Sequence, residues 1–183
     1  MVRPADRAGS GVSRGTVKRV SLILGSLLLS GGLPLASPAP SSIVEDRAGG
    51  EGDRIERRRE WFAKYAPTGR HRVLVLETAD GVVGAAWSSP FRPKAAYDTS
   101  VETTIVLDPA AIGRGLGKRL LAALLDELAA EDVHRAYAVI ALPNDASIAL
   151  HHRLGYRSLG IQHEVGRMYG EYWDTELLER RFP

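Results

Sequence analysis

Residues 112–117, Ile112-Gly113-Arg114-Gly115-Leu116-Gly117, alternate glycine with larger residues, and Lys118 follows at the start of a long apolar-periodic run. Bare N–H groups at a helix N-terminus, together with the helix dipole, hold anions such as pyrophosphate, and glycines let the anion approach closely. An ATP-type phosphate loop needs glycine at 112 and a Ser or Thr hydroxyl for magnesium at 119, where Ile112 and Arg119 stand. The dinucleotide fingerprint fails too, because its last glycine falls on Lys118. A tight turn into a helix accounts for the same glycines without a ligand.

Glu102 is a lone acid in the apolar run Val101–Leu107. Buried, it gains the raised pKa of a general base; on a strand edge it simply faces water. Asn144 and Ser147 open a helix as ordinary caps or as ligand contacts. His151 on that helix either exchanges protons near neutral pH or is a satisfied helix histidine. His152 points about 100° away and reads as surface, and no acid is spaced to make the pair a metal site. Phe91, Arg92, Lys94 and Tyr97 precede the strand of Glu102. Their cations meet an anionic oxygen or are merely solvated.

The elements that must position these residues begin near Arg54. Ile55, Arg58, Arg59, Trp61, Phe62 and Tyr65 follow a helical period that ends at Pro67 and Gly69. Val73–Glu77 and Val82–Trp87 flank Ala79-Asp80-Gly81, a strong hairpin signal. A third strand, Val101–Leu107, ends before Asp108-Pro109. Leu120, Leu121, Leu124, Leu125 and Leu128 mark an amphipathic helix over Leu116–Ala130 with a wide buried face. Ala136–Leu142 reads as a fully buried strand. Asn144 caps a helix running to Leu154, which Gly155 ends. Arg157–Glu164 and Tyr172–Arg180 fit two last strands. This order predicts a mixed α/β fold with a partly antiparallel sheet.

The 183 residues, 44% hydrophobic and 25% charged, suffice for one globular domain. Cysteine is absent, which excludes disulfide scaffolds, thiolate metal sites and cysteine nucleophiles. The formal charge of +2 combines an excess of four positive charges in the first twenty residues with a net −2 over the rest. No aromatic-basic interleaving follows, so nucleic-acid binding is not expected. Residues 1–50 read as a leader and linker and 51–183 as the domain. In the leader, Arg14, Lys18 and Arg19 precede the apolar Val20–Ser30 and then small residues, an order that resembles a secretory signal. It also fits a disordered extension or a start codon read upstream of the true one. The apolar stretch is too short and interrupted for a membrane span, which takes roughly 20 residues.

From Arg54 onward the chain resembles the GCN5-related N-acetyltransferase superfamily, and within it the phosphinothricin/methionine sulfoximine acetyltransferase branch. The resemblance rests on Pro90–Asp98, Val101-Glu102, Gly113–Lys118, Ala141–Ser147, Leu150–Tyr156 and Gly170–Asp174, in that order. It implies a mixed, mostly antiparallel twisted sheet flanked by helices, with the first strand and helix of the fold missing or replaced, since it does not reach residues 1–50. Ile112 departs from the Gln or Arg that usually opens the loop.

The resemblance implies acetyl transfer from acetyl-CoA, a co-substrate, to the amine of a small amino-acid-like acceptor by direct attack, with no metal. Glu102 would be the base, often acting through water. His151 would protonate the thiolate, where most of the superfamily has tyrosine. The backbone of Ile105, Val106 and Leu107 would hold the acetyl carbonyl and pantetheine arm. The loop Ile112, Gly113, Arg114, Gly115, Leu116, Gly117 and Lys118 would hold the pyrophosphate, and Asn144 and Ser147 would touch the arm. Phe91, Arg92, Lys94 and Tyr97 would join the acceptor site partly across a homodimer interface, with Lys94 where close relatives tend to have arginine. Acetyl-CoA is a cytoplasmic metabolite, so the cytoplasm is the expected compartment. The competing expectations are a non-catalytic CoA-binding remnant and an acetyltransferase for a protein N-terminus or another amine. A missing first strand would leave the edge of Val73–Leu76 unpaired, and no alternating pattern in residues 1–50 obviously fills it.

Overall fold

The computed structural model describes residues 15–19, 51–79 and 81–183. Its strands are β1 (Thr16–Arg19), β2 (Val73–Thr78), β3 (Gly81–Pro90), β4 (Ser100–Leu107), β5 (Arg135–Ala141), β6 (Arg157–Met168) and β7 (Glu171–Arg181). The helices are α1 (Glu51–Phe62), α2 (Leu116–Leu128) and α3 (Asp145–Arg153). One sheet runs in the order β1-β2-β3-β4-β5-β7-β6. Every pair is antiparallel except β4 with β5, so the expected mixed, mostly antiparallel architecture holds.

Side chains alternate across the sheet and divide the core in two. Leu74 and Leu76 of β2 meet Leu120, Leu121, Leu124 and Leu128 of α2, all buried. Each such leucine contributes about 1.5–3 kcal/mol by leaving water. Val73 and Val75 point to the other face, where Trp61, Phe62 and Tyr65 at the end of α1 cover them together with Ala85 and Trp87. Helix α1 therefore stands on one face of the sheet and α2 on the other.

Three expectations are corrected. The edge of β2 is filled: Thr16 pairs with Glu77 and Arg19 with Leu74, so a boundary at residue 51 cuts off one strand of the sheet. The segment carries only Val17 toward the core, and tertiary ties do the rest. Lys18 pairs with Glu77, Arg19 Nε donates to Glu127 at 2.7 Å, and Arg119 Nη2 donates to the Gly15 carbonyl at 2.6 Å. The fate of the first helix, the Val20–Ser30 run and the rest of the leader lie outside the described residues. Strand β5 is not buried throughout, because Val139 is 43% exposed where β4 leaves its side. The last two strands are longer than their patterns show and meet at Tyr169-Gly170, with Gly170 at φ 87°. Gln162 pairs with Thr175 but Gly166 with Trp173, so residues 163–165 bulge out. Asp174 clamps this bulge by accepting from the Glu164 N–H at 2.8 Å and from His163 Nδ1 at 2.9 Å.

Buried Arg72 ties the Gly69 turn to α2. It donates through Nη1 to Glu127 at 2.8 Å, through Nε to the Gly69 carbonyl at 2.9 Å, and through Nη2 to Glu131. The Arg72→Met protein should lose about 2–3 kcal/mol of stability, since Glu127 keeps only Arg19 and the part-buried Gly69 carbonyl loses its donor. A urea melt with an unshifted midpoint would show that the cluster is dispensable.

Candidate active site

The parallel contact of β4 with β5 covers only three pairs, Ser100 with Arg135, Val101 with Ala136 and Glu102 with Tyr137. Beyond Glu102, β4 stays on β3 to Leu107 and β5 stays on β7 to Ala141, so the two strands part. A cleft of about 50 Å³ opens there, lined by Glu102, Thr104, Ile105, Val139, Ser147 and His151 among others. Thr103 closes its floor, its Oγ1 donating to the Tyr137 carbonyl at 3.1 Å and lying 2.6 Å from the Tyr156 hydroxyl. Burial pushes that phenol up to about 12, against the opposing pull of Thr103 and Arg180. It stays protonated at neutral pH.

Main-chain direction on β4 follows from its pairing. The Phe91 N–H donates to the Ser100 carbonyl and the Asp108 N–H to the Val83 carbonyl, so even-numbered residues turn their backbone toward β3. Odd-numbered residues turn theirs toward the gap. Of Ile105, Val106 and Leu107, the first and last thus offer N–H and C=O to an extended arm lying between the strands, while Val106 is committed to β3.

Glu102 sits half-buried where the strands part, and burial raises its carboxyl above the usual range. It shares a sheet face with Ser89, its β3 partner, and Tyr137, its β5 partner. Phe91 stacks on Tyr137 with ring centroids 3.9 Å apart, and Tyr97 meets Phe91 edge-on at 6.3 Å. The Arg92 guanidinium lies over both rings, 5.1 Å from Phe91 and 5.7 Å from Tyr97. Phe91, Arg92 and Tyr97 are therefore gathered beside Glu102. Lys94 is exposed at the start of the short turn Ala95–Tyr97 and joins none of these ring contacts. Sequence reasoning passed over Tyr137, although alternation within β5 places it opposite its small neighbours Ala136 and Ala138.

Past the Leu107 end of β4, Gly113 and Gly115 take φ of 77° and 72° and turn the chain into α2, with Gly115 as its N-cap. Among the described residues beyond its chain neighbours and the helix's own backbone, a Cβ at either position would meet nothing within 4 Å, so backbone conformation, not crowding, requires glycine there. Gly117 differs, since a Cβ would fall 2.8 Å from Leu107 Cδ1; it lets α2 lie against β4. Arg114 and Lys118 are exposed beside the loop, and Ile112 is 53% exposed ahead of it. Leu116 is buried in the core and can serve a ligand only through its backbone. Free N–H groups, positive φ and two cations make the loop fit a pyrophosphate.

Asn144 caps α3, its Oδ1 accepting from the Ser147 N–H at 3.2 Å. The Ser147 carbonyl in turn lies 2.8 Å from His151 Nδ1. A carbonyl only accepts, so the proton sits on Nδ1 and Nε2 carries the lone pair. His151 is 2% exposed, and its Nε2 is buried with no partner among the described residues. Burial lowers its pKa more than the Ser147 bond raises it, and His152 lowers it further. The imidazole is neutral at neutral pH, lines the cleft, and must accept a proton before it can donate one.

A sheet that parts at a half-buried acid, with a glycine-opened helix at the end of the gap, is the framework of an acyl-CoA-dependent acyltransferase. The chain belongs to the acetyltransferase (GNAT) family, whose profile matches residues 41–156, and it is an acetyl-CoA-dependent N-acetyltransferase. It is 51% identical over 127 residues to the phosphinothricin N-acetyltransferase of Streptomyces coelicolor, a match covering 68% of this chain and 74% of that protein. It is 31% identical over 125 residues to the L-methionine sulfoximine/L-methionine sulfone acetyltransferase of Pseudomonas aeruginosa, covering 68% and 73%. Among solved structures, a GNAT phosphinothricin acetyltransferase from Sinorhizobium meliloti in complex with acetyl-CoA superposes with TM-score 0.71 at 26% identity, covering 92% and 88%.

Proposed function

We propose that the chain moves the acetyl group of acetyl-CoA to the α-amine of a small amino-acid-like acceptor of the phosphinothricin, methionine sulfoximine or methionine sulfone type. The observation that carries this reading is Glu102, half-buried with a raised pKa where β4 and β5 part, between the aromatic acceptor face and the cleft. The names of the relatives supply the acceptor type. The remnant reading is not retained, because its premise was an absent first strand and β1 occupies that edge.

The pyrophosphate of acetyl-CoA binds the Gly113–Lys118 loop, and its arm lies between β4 and β5. The thioester carbonyl takes a hydrogen bond from an N–H of β4 facing the gap, which stabilises the oxyanion. Glu102 takes a proton from the acceptor ammonium, directly or through one water, and the freed lone pair attacks the carbonyl carbon. The tetrahedral intermediate then carries an ammonium N–H and an oxyanion. His151 Nε2 takes that proton, the C–S bond breaks as the carbonyl re-forms, and the imidazolium returns the proton to the thiolate. The products are the N-acetyl compound and free CoA, and the proton first taken by Glu102 passes to solvent.

The exposed apolar residues Leu159, Ile161 and Val165 of β6 support assembly with a second copy of this chain. Dependence on acetyl-CoA supports a cytoplasmic enzyme. The acceptor class is tested by comparing kcat/KM for phosphinothricin, methionine sulfone and a peptide beginning with alanine. The last belongs in the set because a ribosomal-protein-alanine N-acetyltransferase from Brucella melitensis superposes with TM-score 0.77 at 27% identity, covering 91% of this chain and 99% of that one. The small acceptors should exceed the peptide by at least about 100-fold, a difference of roughly 2.7 kcal/mol in transition-state binding. A preference for the peptide would overturn the acceptor assignment.

A further inference from the structure

Helix α1 ends in an aromatic chain that leads to the face of Glu102. The Tyr65 N–H donates to the Phe62 carbonyl at 3.1 Å, carrying the helix one turn past its last residue. This sets the Tyr65 ring 4.7 Å from the Trp61 ring, and Trp61 meets Trp87 edge-on at 5.4 Å. Trp87 pairs with Thr104, which shares its sheet face with Glu102 two residues earlier. Tyr65 thus stands on the same face as the base, packed in the cluster that closes this side of the sheet.

Two observations indicate what the phenol does. Burial first, and the Glu102 carboxylate second, push the Tyr65 ionisation far up, so the group remains a neutral hydroxyl within the field of Glu102. Neither the Tyr65 hydroxyl nor the Glu102 carboxylate has a hydrogen bond among the described residues. Two polar groups that share a sheet face and do not bond each other are both free to accept from a third group, and an ammonium has three N–H groups to share.

We propose that Tyr65 is an acceptor-binding residue whose phenol oxygen accepts one N–H of the substrate ammonium while Glu102 accepts another. This rests on the function proposed above and adds a residue to it. When Glu102 breaks its N–H bond and gains the proton, the phenol still holds a second N–H. The lone pair left behind lies along the broken bond, and the N–H still held by the phenol sets the axis about which the amine turns that lone pair onto the carbonyl carbon. The site therefore selects primary amines presented as ammonium.

The full-length Tyr65→Phe protein tests this, since it keeps the ring against Trp61 and removes only the oxygen. With methionine sulfone, KM for the acceptor should rise about tenfold, the loss expected for one hydrogen bond to a charged group, with a smaller fall in kcat. Acetyl-CoA affinity and the melting temperature should stay at parent values, whereas a merely structural role would lower both. An unchanged acceptor KM in Tyr65→Phe beside an active parent overturns this inference alone. A parent that acetylates neither methionine sulfone nor phosphinothricin overturns the proposed function and this inference with it.

Discussion

Replacing Glu102 by glutamine should slow acetyl transfer by about 10²–10⁴-fold at neutral pH while leaving acetyl-CoA affinity unchanged. The amide keeps the shape of the carboxyl and cannot take the acceptor's proton. Burial holds the Glu102 carboxyl protonated to higher pH than an exposed one. In the parent, kcat/KM should therefore climb as pH rises through this raised pKa and fall away on the acid side. The variant should lack that acid limb. Burial lowers the His151 pKa, which moves its own titration toward more acid pH. Equal activity of parent and variant from about pH 6 to 9 would remove Glu102 from the chemistry.

Gly115→Val should weaken acetyl-CoA binding by about 10–100-fold. The left-handed φ of 72° at the α2 N-cap is open to glycine and strained for a β-branched residue, at about 1–3 kcal/mol. That strain is relieved only by turning the loop, which takes its N–H groups off the pyrophosphate. Apart from its chain neighbours and the helix's own backbone, no atom among the described residues lies within 4 Å of the added Cβ, so the fold itself should survive. Titration calorimetry with acetyl-CoA reads the effect, and undiminished affinity would sink the loop assignment.

What the sequence made legible was local. Alternating glycines before a leucine-rich helix, an acid alone in an apolar strand, and an Asn cap ahead of two histidines are short-range patterns, and the structure lines one cleft with Glu102, Ser147 and His151. What stayed hidden depends on partners distant in the chain. Strand β1 has one apolar contact residue, Val17, and is held by Glu77, Glu127 and Arg119, none of which is visible from the four residues themselves. Exposure of Val139 follows from β4 leaving β5, and an apolar run carries no mark of that. Tyr65 read as part of a helix face until the turn after α1 brought it over the sheet. The direction of the Ser147–His151 bond, which makes the imidazole a proton acceptor first, depends on the i to i+4 geometry of α3.

We propose that this chain acetylates a small amino-acid amine through Glu102 by direct attack. The most direct test is steady-state turnover of acetyl-CoA with phosphinothricin, following free CoA thiol and N-acetyl product together. The account predicts equal amounts of both, no CoA release without the amine, and loss of both signals in Glu102→Gln. Release of CoA at the same rate without any amine, or an undiminished yield from the glutamine variant, would contradict it.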